Sequence, residues 1–129
     1  MKFSRFYAKI LALVILSLFL FGPQASSGNH KIIKTGHVLM TAYNSLEGQT
    51  DSSPWVTASG TRCRKGVIAS NFLPFGTKVK IEGFGNQIFV VEDRMNKRFA
   101  RRIDIWFSGY NEAMKFGAKK LKYYVVETV

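Results

Sequence analysis

Three aspartates stand out in this chain as candidates for acid–base chemistry, and each stands in a different local pattern. Asp104 lies in the run 101–107, where Ile103 and Ile105 share one parity and Asp104 takes the other. Because successive side chains of a strand point to opposite faces, this alternation predicts a strand whose carboxylate faces away from the core. Aspartate is depleted in strands, so this one needs a reason.

Asp93 and Asp51 are the other two, one at the end of an apolar strand and one in a polar loop. Residues 94–100 connect the strand of Asp93 to that of Asp104. In a simple hairpin the two would lie on the order of 10 Å apart, too far for a retaining carboxylate pair and marginal for an inverting one. A crossed connection would change this, so both arrangements stay open.

Two other residues could carry chemistry, but simpler interpretations are favoured. His37 could join the three aspartates in a metal site, since carboxylates and an imidazole suit several divalent ions. No close pair of ligands supports such a site, so we interpret His37 as a surface histidine and predict no metal and no other cofactor. Cys63 is flanked by basic residues that could lower its pKa, yet no histidine is near it, which favours an ordinary packed thiol.

Short strands and one helix must position these residues. Alternation, β-forming residues and flanking turn signals predict strands at 36–43, 66–70, 77–82, 87–91, 101–107 and 121–127. Ser108 is the predicted N-cap of a helix that ends at Gly117. Five or six strands with one helix between the last two predict a mainly β fold, a small closed barrel with a groove across it for a partner.

A basic and then apolar segment precedes this domain. Three basic residues stand before the apolar run 10–21, and small residues follow it. This order is typical of a secretory signal peptide, and the run is shorter than the roughly 20 residues of a membrane span. We predict a signal peptide at 1–27, with an uncleaved anchor as the alternative, a linker at 28–35 and one domain at 36–129. The protein would then be exported to the periplasm, the cell wall or the medium.

The exported part is basic. Once the three basic residues of 1–27 are set aside, 16 Lys and Arg remain against 8 Asp and Glu, a net charge of +8. Such a charge favours an anionic wall polymer or a phospholipid surface as neighbour; nucleic acid fits the charge too, but an exported protein seldom meets it. Five cations between Arg94 and Arg102 could bind phosphate, although a solvated loop that attracts anionic polymer is favoured.

A series of short motifs runs through the chain in a fixed order. The motifs are Thr41-Ala-Tyr43, Gln49-Thr-Asp51, Thr57-Ala-Ser-Gly60, Ile68-Ala69, Leu73-Pro-Phe-Gly-Thr77, Val91-Glu-Asp93, Arg102-Ile-Asp-Ile105, and Glu112-Ala113 with Phe116-Gly117. Their order and spacing resemble the 3D domain, a bacterial module named for three aspartates. That module is similar to the catalytic barrel of the membrane-bound lytic transglycosylase A family.

The resemblance implies a six-stranded double-psi β-barrel that cleaves the peptidoglycan glycan strand between N-acetylmuramic acid and N-acetylglucosamine. It also implies that Asp104 is the acid/base and that Asp93 and Asp51 support it. In the lytic reaction one carboxyl group protonates the glycosidic oxygen and then, as carboxylate, takes the proton of the sugar's C6 hydroxyl. A 1,6-anhydro end results, without water or a second catalytic carboxylate.

The first step of this reaction requires Asp104 to be protonated near neutral pH. Burial beside Ile103, Ile105 and Trp106 would raise its pKa, and so would the like charge of Asp93. Arg102, on the same face, would lower the pKa.

Further side chains from the matched motifs are candidates to hold the glycan. They are Tyr43, Trp55, Thr57, Ser59, Arg102 and Trp106. Each aromatic could stack on a sugar ring, although ordinary packing explains any one of them as well. The two hydroxyl groups could line the site or merely shape the turn at Gly60.

Two other functions remain open at this point. A barrel of this kind could bind glycan or another wall protein without cleaving it, since a fold alone does not imply activity. A hydrolase would instead use Asp104 as acid and Asp93 or Asp51 as base for a water molecule. In each case we predict peptidoglycan glycan strands or another envelope component as partner, no nucleic acid, and membrane contact only through an uncleaved N-terminal segment.

Overall fold

The computed structural model describes residues 28–46 and 53–129, and within them the chain is mainly β. In chain order the elements are β1 His30–Tyr43, β2 Val67–Ser70, β3 Lys78–Ile81, β4 Phe89–Asp93, β5 Arg102–Trp106, α1 Tyr110–Phe116 and β6 Lys119–Thr128. The predicted class, with one short helix between the last two strands, is confirmed. The predicted signal peptide and Asp51 lie outside the described residues. Among the described helices, none is long and apolar enough to cross a membrane.

The six strands hydrogen-bond in a closed ring, in the order β1-β5-β2-β4-β3-β6. Two pairs, β1 with β5 and β2 with β4, run parallel, and the other four run antiparallel. β4 and β5 follow each other in the chain, but β2 lies between them. Their connection is therefore crossed, and the simple hairpin that the spacing left open does not occur.

The core fills the inside of this ring and takes side chains from every strand. Its buried members are Val38, Met40, Ile68, Leu73, Val79, Ile81, Phe89, Val91, Ile103, Ile105, Tyr123 and Val125. Each fully buried side chain of this size contributes roughly 1.5–3 kcal/mol, so the inward faces hold the ring closed. The predicted inward positions of Ile103 and Ile105 on β5 are confirmed, which leaves Asp104 on the outer face.

β1 begins earlier than the sequence predicted. Residues 30–35, most of the expected linker, form its first half and pair with the end of β6. The local pattern gave no strand signal because 31–35 are all exposed and do not alternate between apolar and polar residues. Pairing with a distant strand decides this segment. It continues into the core at Gly36, where a Cβ would lie 2.7 Å from the Tyr123 ring, so only glycine fits.

The helix α1 rests on one end of the ring. Ser108 is not its N-cap, which is a correction: Gly109 takes that position, and no side chain caps the helix. Gly117 ends the helix as predicted, with a φ of 66° that a residue with a side chain rarely adopts. The Phe116 ring packs against Phe84 and Phe107, at centroid distances of 6.0 and 5.5 Å.

Candidate functional site

Two of the three aspartates lie in one row across four neighbouring strands. Asp104 on β5 is paired with Thr41 on β1 and with Ala69 on β2, and Ala69 is paired in turn with Asp93 on β4. The β2–β4 register shifts by one residue between Ile68 and Ala69, and this irregularity brings Asp93, which has the parity of the inward Val91, to the same side as Asp104. With neighbouring strands about 4.8 Å apart, the Cα atoms of Asp93 and Asp104 are separated by roughly 10 Å. Ala69, between them, is only 2% exposed, so neighbouring segments cover it.

Both aspartates line a cavity of about 510 Å³, here called the carboxylate cavity. Its lining residues are Tyr43, Ser53, Pro54, Val56, Asp93, Arg94, Met95, Asn96, Phe99 and Asp104. They come from the end of β1, the 53–56 segment, the end of β4, the middle of β5 and the connection between β4 and β5. A cavity of similar size at Phe75 and Val126 holds no pair of carboxylates.

Asp104 is partly buried and accepts a hydrogen bond of 2.9 Å from Thr41 Oγ1. Burial raises the pKa of Asp104 to about 6; the Thr41 hydroxyl and the charge of Arg102 oppose this, and the charge of Asp93 adds to it. The predicted directions for burial, Asp93 and Arg102 agree with this, but Ile103 and Ile105 point into the core and are not the source of the burial that was predicted. A carboxyl group with this pKa is populated in both protonation states near pH 6, so it can give and take a proton.

Asp93 is held by three donors rather than left free in the cavity. Its Oδ2 accepts a hydrogen bond of 2.8 Å from the Tyr43 hydroxyl, and its Oδ1 accepts from the amides of Ala58 and Arg94 at 2.8 and 2.9 Å. Burial and then the charge of Asp93 raise the pKa of Tyr43 well above its usual value, so the phenol remains a neutral donor. Asp93 therefore fixes β1 and the 57–61 loop against β4.

The wall formed by the β4–β5 connection is organised by Asn71, which follows β2 directly. Its Nδ2 donates to the carbonyls of Met95, Asn96 and Phe99 at 3.0–3.3 Å, and its Oδ1 accepts the Met95 amide at 3.0 Å. The sequence reasoning missed this residue. The signal that could have found it is an asparagine directly after a buried strand, a residue that often hydrogen-bonds to loop backbone.

Arg94 and Arg102, both in the cation cluster of the sequence, have structural neighbours. Arg94 Nη1 donates to the Ser70 carbonyl at 2.7 Å, and its guanidinium lies 3.7 Å from the centre of the Phe75 ring. Arg102 stacks over Phe99, a cavity residue, at 4.1 Å. Arg94 thus braces the loop after β2, whereas Arg102 stands at the rim of the carboxylate cavity.

Trp106 is committed to packing. It has the outward parity of Asp104, as predicted, but it is only 7% exposed and lies in a second cluster with Cys63 and Val67. Its Nε1 donates to Ser45 Oγ at 2.9 Å. The chain segments beside β5 cover this end of its outer face, so the ring does not stand in the cavity. Cys63 is buried there too, and burial raises the pKa of its thiol, in agreement with a packed cysteine.

The matched hydroxyl residues shape a loop. Thr57 is buried, and its Oγ1 lies 2.7 Å from Thr61 Oγ1 and 3.1 Å from Ser59 Oγ. Thr57 also accepts the Thr61 amide at 3.1 Å, which closes the turn at Gly60. This turn presents the Ala58 amide to Asp93, so the loop reaches the carboxylate cavity through its backbone.

Trp55 and His37 lie in different surroundings. Trp55 is 51% exposed and lies in sequence between the cavity residues Pro54 and Val56, but it is not among the residues that line the cavity. His37 is exposed on β1, paired with Lys122 of β6. The described residues contain no group of three His, Cys, Asp or Glu side chains that could hold a metal ion.

Taken together, the cavity offers one carboxyl group that titrates near pH 6 and a second, fixed carboxylate about two strands away. Such a pair can transfer a proton at one point and stabilise positive charge at another. Neither the comparison with models of known protein families nor the search of curated proteins finds a match to this chain.

Proposed function

We propose that this protein is a lytic transglycosylase that cleaves the glycan strand of peptidoglycan, with Asp104 as its single acid/base. The observation that carries the proposal is the position of Asp104. Its carboxyl group lines the carboxylate cavity and has a pKa of about 6. The ring of six strands with two parallel pairs is compatible with the double-psi β-barrel that the motifs imply. The resemblance of the chain's motifs to those of the 3D domain indicates peptidoglycan glycan as the substrate.

The proposed reaction needs one proton donor that becomes a proton acceptor. Protonated Asp104 donates to the glycosidic oxygen while the bond to the anomeric carbon breaks. The resulting carboxylate takes the proton of the C6 hydroxyl, whose oxygen bonds to the anomeric carbon and closes the 1,6-anhydro ring. Since the C6 hydroxyl belongs to the same sugar, no water is consumed. A pKa near 6 serves both steps, because neither protonation state is strongly disfavoured at neutral pH.

Asp93 acts in this proposal through its charge. Its three hydrogen-bond donors fix the carboxylate on the far side of Ala69, where it can stabilise the positive charge that develops on the sugar. The same three donors take most of the acceptor positions of Asp93 and leave one on Oδ2, which makes a water molecule less easily held there for general-base attack. The lytic reaction is for this reason favoured over hydrolysis.

The test is to digest purified peptidoglycan with the protein and weigh the released fragments. The expected fragments carry anhydro ends, each lighter by one water than a fragment with a reducing end. Asp104→Asn should slow release by roughly 10²- to 10⁴-fold, the usual contribution of a positioned acid/base. Glu112→Gln, an exposed acid on α1, is the matched control and should cleave normally.

Three results would contradict the proposal. Reducing ends would identify a hydrolase instead. Binding to the glycan without release of fragments would identify a non-catalytic barrel. Full cleavage by Asp104→Asn would remove Asp104 from the mechanism.

A further inference from the structure

The outer face of β3, β6 and β1 lies across the ring from the carboxylate cavity. In the ring order β2 stands between the two aspartate-bearing strands, whereas β6 stands between β3 and β1 on the other side. Tyr123 and Val125 of β6 point into the core, so Lys122 and Tyr124 point outward. Their partners on neighbouring strands, His37 and Lys80, share this outward face.

Four lysines make this face basic, and one histidine lies among them. They are Lys78 and Lys80 on β3, Lys120 and Lys122 on β6, and His37 on β1, and together they define the basic face. Two carboxylates lie nearby: Glu82, whose Oε2 accepts the Lys122 amide at 2.9 Å, and the exposed Glu127 of β6, which lines a cavity with Lys78. Within the described ranges no lysine of this face has an acidic partner within 4.0 Å. The charge is therefore uncompensated and available to an anionic partner.

Apolar side chains lie among these cations. Ile32 and Leu39 of β1 are 54% and 39% exposed, and they are paired with Val126 and Lys120 of β6. Tyr124 lies between Val126 and Lys120 on β6, and the Lys122 ammonium is 5.2 Å from the centre of the Tyr124 ring. A mixture of lysine, tyrosine and aliphatic side chains suits the boundary of a bilayer, where ammonium groups meet phosphates and apolar groups enter the headgroup region.

We propose that the basic face binds an anionic phospholipid surface. The four lysines lie on two neighbouring strands, β3 and β6, about 5 Å apart, and their register positions extend from Lys120 to Val126 of β6, a length of about 20 Å. The exposed Ile32 and Leu39 beside this band favour a bilayer surface over a soluble polyanion, since apolar side chains can enter the headgroup region.

Lipid binding at the basic face would leave the carboxylate cavity pointing away from the bilayer. This follows from the ring order alone, since the cavity opens on the far side. The proposal does not depend on glycan cleavage, and it would stand if the cavity served another reaction.

The test is sedimentation of the full chain with two kinds of vesicle, phosphatidylcholine alone and phosphatidylcholine mixed with phosphatidylglycerol. Neutral vesicles measure any binding by the N-terminal apolar run, and the difference between the two measures the charge-dependent part. Each lysine near an anionic surface contributes about a fivefold gain in affinity. In the variant Lys80→Gln with Lys120→Gln, the gain in affinity for anionic over neutral vesicles should therefore fall by roughly 30-fold.

The matched control is Lys65→Gln with Lys97→Gln, which removes the same charge from exposed positions near β2 and β4. It should keep most of the anionic preference, and both double variants should unfold at the same temperature as the parent. Equal losses in the two variants, or equal binding to both vesicles, would overturn the proposal. A soluble glycerol-phosphate polymer that binds the basic face and displaces the vesicles would overturn it as well, in favour of a wall polymer.

Discussion

Replacing Asp104 with asparagine should stabilise the protein at neutral pH while removing the proposed activity. The carboxylate sits in a partly buried position where its charged form is disfavoured. Asparagine has nearly the same shape, and its Oδ1 can still accept the hydrogen bond from Thr41. The substitution therefore removes a buried charge and leaves the surrounding packing in place.

The magnitude follows from the pKa. In the folded protein the pKa of Asp104 is raised from 3.8 to about 6, so the folded state binds the proton more tightly than the unfolded chain. Below about pH 3, well under the unfolded pKa of 3.8, both states are protonated and the carboxyl group costs no stability. As the pH rises from about 3 through 6 the folded state is penalised, by about 3 kcal/mol once titration is complete. Asp104→Asn should recover up to that amount at pH 8 and only a small part of it at pH 4.

The assay is urea unfolding of the parent and the variant at several pH values between 4 and 8. Asp93→Asn is the informative contrast: it weakens hydrogen bonds from Tyr43 and two backbone amides, so it should lose about 1–3 kcal/mol at neutral pH. If Asp104→Asn changed stability equally at pH 4 and pH 8, or lowered it at pH 8, the assignment of a raised pKa to Asp104 would be wrong.

The other predictions concern the neighbours of the two aspartates. Thr41→Val removes the hydroxyl that lowers the pKa of Asp104, so this pKa should rise by about one unit, as measured from its carboxyl carbon by NMR. Thr35→Val, an exposed change on the same strand, should leave it unchanged. Asn71→Ala should cost about 2–3 kcal/mol in urea unfolding and speed amide exchange at 95–99, because four hydrogen bonds to that loop are lost. Unchanged amide exchange at 95–99 would show that the loop keeps its structure without the hydrogen bonds from Asn71.

Local pattern predicted most strands but not their limits. The alternation in 101–107 identified β5 and its inward residues, because a strand with one buried face repeats every two residues. The first half of β1 was not predicted because its side chains are exposed on both faces. Its sequence therefore shows no alternation of apolar and polar residues. The helix start was also missed, because serine is only a statistical favourite for an N-cap and Gly109 leads into α1 without a side-chain bond.

The outward position of Asp104 and the directions of its pKa influences could be argued from the sequence. The surroundings of Trp106 could not. Parity placed its ring on the outer face, yet two distant segments, at Ser45 and Cys63, cover that part of the face. Parity reports which side of a sheet a residue takes, and only the packing of other segments decides whether that side meets solvent.

The sequence by itself determined the mainly β class, the core positions of β3 and β5, and the outward carboxylate of Asp104, because each depends on a period of two within one segment. Only the tertiary structure decided that β2 enters between β4 and β5 and places Ala69 between Asp93 and Asp104. It also assembled the basic face from three strands distant in sequence. Both depend on which strands pair, and pairing is fixed by long-range burial and backbone hydrogen bonds that no local pattern encodes.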